Sequence, residues 1–258
     1  MGILNVTPDS FYYASRSFDA NAIGSRVNEM INEGVDIIDI GAYSSRPGAD
    51  DLNPQEEMRR LELAMDIVKQ KAPSTLVSID TFRAEVAKYA IETLGADIIN
   101  DISAGLLDDV MIDTVAQLKV PYIAMHMRGT PQTMNDLATY RNVTSEVMCE
   151  LSERINRLTL AGVNDIIIDP GFGFSKTIQQ NYELMRDLEI LHEMGYPILV
   201  GISRKSMIYK PLKISANEAL NGTTVLNTFA LQAGAAILRV HDVKAAREAI
   251  NLTHLIYS

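Results

Sequence analysis

Small polar side chains that could bind a ligand stand at the ends of the short apolar runs in this sequence. Those with carboxylate or amide groups are Asn5, Asp39, Asp80, Asn100, Asp101 and Asp169. Those with cationic groups are Arg46, Arg204, Lys205, Arg239 and His241. Short carboxylates and amides keep a fixed direction and suit a planar, hydrogen-bonding heterocycle. Arginine and lysine suit phosphate. The pattern predicts one site with an acidic side for a heterocycle and a cationic side for an anionic group.

The apolar runs themselves predict the scaffold that brings these side chains together. Eight short, β-branched runs read as strands at residues 2–6, 35–40, 76–79, 97–99, 120–125, 165–168, 197–202 and 235–240. Amphipathic helical stretches alternate with them at residues 26–33, 54–70, 82–94, 107–118, 144–160, 181–194, 216–232 and 243–255. Eight such pairs predict a single (β/α)8 TIM barrel as one domain over residues 1–258, with its site at the carboxyl ends of the strands.

A doubly wound open sheet is the alternative α/β fold. It usually has fewer strands, and its dinucleotide-binding form needs a glycine-rich turn after the first strand. Here that turn reads NVTPDSF. Three long irregular stretches remain, at residues 7–19, 42–53 and 127–142, and loops of this length in a compact domain are usually functional.

Composition excludes several classes of partner. The chain has 33 Asp and Glu against 23 Lys and Arg, a net charge of −10, which disfavours nucleic acid and acidic membrane surfaces. No apolar run approaches the roughly 20 residues that span a bilayer. The single cysteine, Cys149, lies in a helical pattern where packing explains it, so no disulfide framework is expected and a reducing cytoplasm is indicated.

Two features of the sequence suggest other kinds of site, a P-loop and a metal centre, but neither has the residues that such a site requires. Residues 171–177, GFGFSKT, resemble a phosphate-binding P-loop, but Ser175 stands where that motif needs glycine before Lys176. The four histidines lack metal-ligand spacing, and one cysteine cannot build a structural zinc site.

Eight ordered segments carry a family resemblance. They are GILNVTPDSF (2–11), SSRPG (44–48), SIDT (78–81), INDIS (99–103), HMRGTPQTM (126–134), DPGFGFSKT (169–177), GISRKS (201–206) and RVHDV (239–243). Together they resemble the dihydropteroate synthases of folate biosynthesis over nearly the whole chain. The resemblance implies that 6-hydroxymethyl-7,8-dihydropterin diphosphate loses pyrophosphate and that the amine of 4-aminobenzoate takes its place. It also implies a homodimer formed through the late helices.

The resemblance also assigns residues to three subsites. The pterin would be held by Asp80, Asn100, Asp169 and Lys205, with Met125, Phe174 and Gly201 as its apolar and backbone walls. The diphosphate would be held by Asn5, Arg46, Arg239 and His241, with Mg²⁺ near Asn5. The 4-aminobenzoate site would be bordered by Phe11, Ser45, Pro47, Ser203 and Ser206. Asp9 and Arg46 would lie on mobile loops that close over the site, and the catalytic set would be Asn5, Asp9, Arg46, Asp80, Asp169 and Lys205.

The sequence departs from the family pattern in the first two loops. Tyr43 replaces the usual glutamate, and Tyr12-Tyr13 replaces smaller polar residues. Two alternatives keep a pterin pocket: a methyltransferase barrel with a corrinoid partner, and a non-catalytic pterin-binding paralogue. The methyltransferase has no need of diphosphate cations, so Arg46, Arg239 and His241 favour the synthase. Retention of the pterin and diphosphate residues together argues against the paralogue.

Overall fold

Eight parallel strands form the centre of the computed structural model, which describes residues 1–6, 20–43 and 52–257. The strands are β1 (Gly2–Asn5), β2 (Ile37–Gly41), β3 (Leu76–Asp80), β4 (Ile98–Asp101), β5 (Tyr122–Met125), β6 (Ile166–Asp169), β7 (Leu199–Val200) and β8 (Ile237–Leu238). Strands β1 to β6 pair in sequence order, and β7 pairs with β8.

Two single-residue bridges join these sheets into a ring. Ile168 of β6 bridges to Ile198, and Gly2 of β1 bridges to Val240. The amide of Ile168 donates to the Pro197 carbonyl at 2.9 Å, and the amide of Ile3 donates to the Val240 carbonyl at 2.9 Å. The predicted (β/α)8 class is confirmed, with its two shortest strands at the seam.

The helices surround the strands. They are α1 (Ala20–Asn32), α2 (Pro54–Lys71), α3 (Ala84–Glu92), α4 (Met111–Leu118), α5 (Val143–Ala161), α6 (Ile178–Arg186), α7 (Ser206–Leu212), α8 (Leu220–Gln232) and α9 (Val243–Tyr257), with 3₁₀ turns at Leu188–Met194 and Ala216–Glu218. The start of α2 is as predicted, because the Asn53 side chain accepts from the Glu56 amide at 2.8 Å and Pro54 opens the helix.

The helices differ from the sequence prediction in four details. The helix predicted at residues 181–194 divides at Asp187, and the one at 216–232 begins as a 3₁₀ turn. Helix α7 was not predicted, because its seven residues include Pro211 and are too few to show an amphipathic period. Cys149, predicted to pack, is exposed on α5.

The inside of the ring is filled by its own apolar cluster. Ile98, Ile123 and Leu199 are buried there, and Ile37, Ile167 and Ile237 pack against them. Side chains two residues further along a strand face the same way. The positions directly above this plug are therefore Asp39, Asn100, Met125, Asp169, Gly201 and Arg239. The apolar plug closes the ring below and leaves a polar mouth at the carboxyl ends of the strands.

The register aligns the mouth residues across neighbouring strands. Asn5 pairs with Gly41, Gly41 with Asp80, and Asp80 with Asn100. On the next pair of strands Met125 lies opposite Asp169. Asn5 and Asn100, which are 95 positions apart in sequence, are thereby held in one row across four strands.

None of the helices within the described ranges combines the length and apolar character that crossing a bilayer would require.

Candidate active site

The predicted site residues divide into those that the structure places and those beyond its described ranges. Asp9, Phe11, Ser45, Arg46 and Pro47 lie outside the described residues, as does Tyr12-Tyr13. The others meet at the carboxyl ends of the strands or in the loops that follow them: Asn5, Asp80, Asn100, Met125, Asp169, Phe174, Gly201, Ser203, Lys205, Ser206, Arg239 and His241.

Arg239 binds two carboxylates in the mouth. Its Nη2 lies 2.6 Å from Asp39 Oδ2 and 2.7 Å from Asp80 Oδ2, and its Nε donates to Asp39 Oδ2 at 2.7 Å. Asn100 Nδ2 is 3.3 Å from the same Asp39 oxygen. Asp39 is fully buried, whereas the Asp80 side chain keeps 24% exposure. Asp39 therefore orients Arg239 and Asn100 from below, and Asp80 faces the opening.

Asp39 was among the polar residues found at the strand ends, but it was assigned to no subsite. The sequence feature that indicates a role for Asp39 is its place within the apolar run IIDIG, at an inward-facing strand position. A buried carboxylate is rarely tolerated without a partner, so that pattern indicates a cation elsewhere in the barrel. Gly41, two residues further along β2, leaves room for Asn5 and Asp80, because an added Cβ at this glycine would lie 3.3 Å from Asn5 Oδ1 and 3.6 Å from Asp80 Cβ.

The environment of Asp80 makes its charge sensitive to pH. Burial raises the pKa of Asp80 to about 7, with Arg239 opposing the rise and Asp39 adding to it. A carboxyl with a raised folded-state pKa binds its proton more tightly in the folded than in the unfolded chain. Its contribution to stability therefore becomes less favourable as pH rises from about 4 to about 7.

A second charge pair lies across the mouth, at Asp169 and Lys205. Asp169 is 6% exposed, and its Oδ1 accepts from the Gly171 amide at 2.8 Å. Lys205 Nζ donates to the Phe172 carbonyl at 2.6 Å and lies 4.7 Å from the centre of the Phe174 ring. Burial raises the pKa of Asp169, which Lys205 opposes, and burial lowers the pKa of Lys205 to about 8.

Apolar side chains stand beside this pair. Met125 is buried in a small cluster with Ile102, Met127 and Met134, and Phe174 packs against that cluster. A charged pair next to a thioether and an aromatic ring can hold a flat heterocycle by its polar edge and its face.

Gly171 permits the close approach of two loops at this point. Its φ is +72°, and an added Cβ would stand 1.9 Å from the His126 carbonyl oxygen. Only glycine combines that backbone conformation with that contact. The loop after β6 consequently lies against the end of β5.

His241 and Asn5 lie on the side of the mouth near α1. Both line a cleft of about 630 Å³ together with Ser25 and Arg26. Ser203 Oγ is 3.0 Å from His241 Nδ1 and accepts from the His241 amide at 3.1 Å. Burial and the neighbouring Arg239 lower the pKa of His241 to about 4, so its ring is neutral at physiological pH.

Two residues singled out in the sequence serve the fold instead. The Arg204 guanidinium binds both Asp242 oxygens, at 2.8 and 2.7 Å, and the Ala216 and Asn217 carbonyls, so it does not serve as a phosphate cation. The fully buried Asp101 accepts from Ser103, Gly105 and Tyr122, which fixes the turn after β4.

Metal ligands are sparse in this mouth. Among residues 1–6, 20–43 and 52–257, no group of three His, Cys, Asp or Glu side chains is arranged to hold a metal ion. Asn5 contributes an amide oxygen at the end of β1.

Comparison with known proteins agrees with this geometry. The model of the pterin binding enzyme family matches residues 1–241. The dihydropteroate synthases of Haemophilus influenzae and Clostridium beijerinckii are 39% and 41% identical to this chain, covering 98% and 99% of it and 91% and 93% of the relatives.

Solved structures give the same result. A Clostridium difficile dihydropteroate synthase solved with pteroic acid has a TM-score of 0.91 at 34% identity, covering 99% of this chain and 95% of that one. The Xanthomonas albilineans enzyme with 4-aminobenzoic acid has a TM-score of 0.91 at 37% identity, covering 100% and 92%. A barrel with this mouth and these relatives has one assignment: the chain belongs to the dihydropteroate synthase family of pterin binding enzymes.

Proposed function

We propose that the chain catalyses the reaction of its family, in which the amine of 4-aminobenzoate displaces pyrophosphate from 6-hydroxymethyl-7,8-dihydropterin diphosphate. The observation that carries the proposal is the mouth itself. The buried Asp169 and the half-buried Lys205 stand beside an apolar wall, and the cleft lined by Asn5 and His241 lies on the side of the mouth near α1. One half suits a donor-rich ring, and the other suits a substituent that bears phosphate.

The pterin half has complementary groups for the ring. Asp169 keeps Oδ2 for the N–H donors of the pterin's guanidine-like edge, a charge-assisted contact. Asn100 and Lys205 supply further polar contacts, and Met125, Phe174 and the Gly201 backbone form the walls. These roles are proposals supported by proximity in the mouth and by the family resemblance.

Charge placement supports departure of pyrophosphate before or during attack by the amine. As the C–O bond breaks, its electron pair leaves with pyrophosphate and positive charge develops on the exocyclic methylene of the pterin. Asp80 faces the opening, and its carboxylate would stabilise that charge. The aromatic amine then forms the C–N bond and releases a proton to solvent, so a dedicated general base is not required.

Mg²⁺ fits the donor chemistry near Asn5. The ion prefers oxygen ligands and, in phosphate sites, takes few of them from protein and the rest from substrate phosphates and water. One amide oxygen, with no carboxylate cluster among the residues that the structure describes, agrees with an ion that arrives with the diphosphate. When bound, it would neutralise charge on the leaving pyrophosphate.

The 4-aminobenzoate side is proposed from the resemblance at Phe11, Ser45 and Pro47, with Asp9 and Arg46 on the closing loops. Ser206 opens α7 directly after Lys205. Tyr43, which stands where the family usually has glutamate, packs its ring edge-on against Phe82, with the ring centroids 5.1 Å apart. Tyr43 thus fixes the chain where it leaves β2.

A pyrophosphate-release assay tests the proposed function. Purified protein would receive the pterin diphosphate, 4-aminobenzoate and Mg²⁺, and parallel reactions would omit one component each. We expect release that depends on all three. A protein that binds pterin and releases no pyrophosphate would instead support the methyltransferase or the non-catalytic alternative.

Replacing Ser203 by Ala tests on which side of the mouth this residue acts. Its hydroxyl contacts the backbone amide and the ring Nδ1 of His241, so the loss of about 1 kcal/mol should raise KM for the pterin diphosphate roughly fivefold. KM for 4-aminobenzoate should stay within about twofold of wild type by the same scale. Steady-state kinetics with each substrate varied would measure both. A selective rise for 4-aminobenzoate would support the role that the family resemblance gave to Ser203.

A homodimer through the late helices is proposed on the apolar surface of α7, α8 and α9. The exposed side chains there are Leu212, Val225, Phe229, Leu252, Leu255 and Ile256. Phe229 is 57% exposed and Leu255 73%. Clustered large apolar side chains on a surface usually mark an interface.

The assignments of this chain to a single domain and to the cytoplasm remain predictions.

Replacing Phe229 by Glu should convert the dimer into monomers, because it places a charge within the apolar face. Sedimentation velocity would measure the change. Leu160→Glu is the matched control, since Leu160 is 88% exposed on α5, away from these helices. Dimers that persist in Phe229→Glu would locate the interface elsewhere.

A further inference from the structure

Lys176 forms a partly buried contact network beside the pterin half of the mouth. Its Nζ lies 3.0 Å from the Gly171 carbonyl, 3.1 Å from the Phe174 carbonyl and 3.0 Å from His126 Nδ1. A lysine ammonium has three N–H donors. The three acceptors therefore match the charged form of Lys176.

The contacts of His126 in this network define which of its ring nitrogens carries the proton. His126 is fully buried, and its Nε2 lies 3.1 Å from Glu150 Oε2. Glu150 Oε1 also accepts from Arg128 Nε at 2.8 Å. A carboxylate only accepts, so His126 Nε2 carries the proton and Nδ1 is free to accept from Lys176. Burial, with the Lys176 charge beside it, lowers the pKa of His126 to about 3 and keeps the ring neutral.

Lys176 holds the turn at residues 171–174 by both of its ends. Between the two held carbonyls, Phe172 accepts from Lys205 Nζ at 2.6 Å. The Phe174 ring lies 4.7 Å from the same ammonium. The Gly171 amide donates to Asp169. The turn therefore contacts both Asp169 and Lys205 and carries Phe174.

We propose that Lys176 is a positioning residue for the pterin, fixing the turn at 171–174 and through it Asp169, Phe174 and Lys205. The three partners of its ammonium are protein groups, so it would act on the pterin through the turn. The proposal rests on the proposed function, since it presumes that the pterin occupies this half of the mouth.

The network implies a pH dependence. Burial lowers the pKa of Lys176 to about 7; Lys205 and Arg154 lower it further, and Asp169 and Glu150 oppose them. The other titratable group in contact is His126. As pH rises through about 7 the amine loses a proton, and two N–H donors cannot satisfy three acceptors. Pterin affinity should therefore decline above that pH.

Lys176→Met removes the donors while keeping a side chain of similar length. We expect its Kd for 6-hydroxymethylpterin, measured by calorimetry at pH 6.5, to rise about tenfold or more, the scale of hydrogen bonds to a charged group. The apparent affinity for 4-aminobenzoate should change much less. Lys88→Met, at an exposed position on α3, is the matched control and should bind like wild type. Equal pterin affinity in wild type and Lys176→Met would overturn the proposal, whereas a wild-type protein that binds no pterin would overturn the proposed function.

A chemical rescue separates positioning from general stability and works even if the methionine variant fails to fold. Cys149 is exposed, so Lys176→Cys would be made with Cys149→Ser, aminoethylated while unfolded, and refolded. The resulting thioether amine resembles lysine but is more acidic. We expect pterin binding to return and its decline with pH to begin at lower pH than in wild type. A decline at an unchanged pH would assign the titration to Lys205 and reject Lys176.

Discussion

Replacing Arg239 by Met is expected to lower the free energy of unfolding by about 3–5 kcal/mol, the usual cost of leaving a buried charge without its partner. Asp39 would lose its contacts to Arg239 at 2.6 and 2.7 Å while remaining fully buried. Urea denaturation at pH 7 measures the change. From the sequence, the resemblance assigned Arg239 to the diphosphate, which predicts weaker pyrophosphate binding when Arg239 is replaced.

A second substitution makes the test specific. Asp39→Asn in the Arg239→Met background removes the stranded charge, so the double variant should be more stable than Arg239→Met alone. The two single substitutions and the double form a cycle whose coupling energy reports the pair. Additive losses would show that Arg239 stabilises the barrel by packing, without dependence on Asp39.

Asp169→Asn should weaken pterin binding by about 1.5–3 kcal/mol, or roughly tenfold to 150-fold in Kd. The side chain is nearly isosteric, but its amide group would turn a donor toward the donors of the pterin edge. Calorimetry with 6-hydroxymethylpterin measures the loss. Asp165→Asn makes the same change of charge at an exposed position just before β6, and it should leave Kd unchanged.

This variant also separates the roles of two acidic residues of the mouth, Asp169 and Asp80. If Asp169→Asn kept wild-type pterin affinity while Asp80→Asn lost it, the pterin edge would lie against β3 and not against β6. Loss in both variants would indicate that the ring spans the mouth. Circular dichroism before binding would show whether either variant has changed fold.

The sequence predicted the residues at the strand ends better than their partners. Asp169 and Asn100 were found because strand periodicity and barrel topology decide which end of a run faces the mouth. The Arg239–Asp39 pair joins residues 200 positions apart, and no local pattern indicates it. Lys176 was considered only within a failed P-loop comparison, because its role depends on a turn that brings Gly171 and Phe174 around its amine.

The single-residue bridge between Gly2 and Val240 affects how the barrel can form during synthesis. Strand β1 is made first, yet one of its edges pairs with residues translated more than 200 positions later. Contacts so distant in sequence form slowly. Until residues 237–240 leave the ribosome, the backbone groups on that edge of β1 lack their partners and can pair with other chains. The mouth, which uses Arg239 and His241, is therefore completed only after β8 and the residues that follow it have been translated.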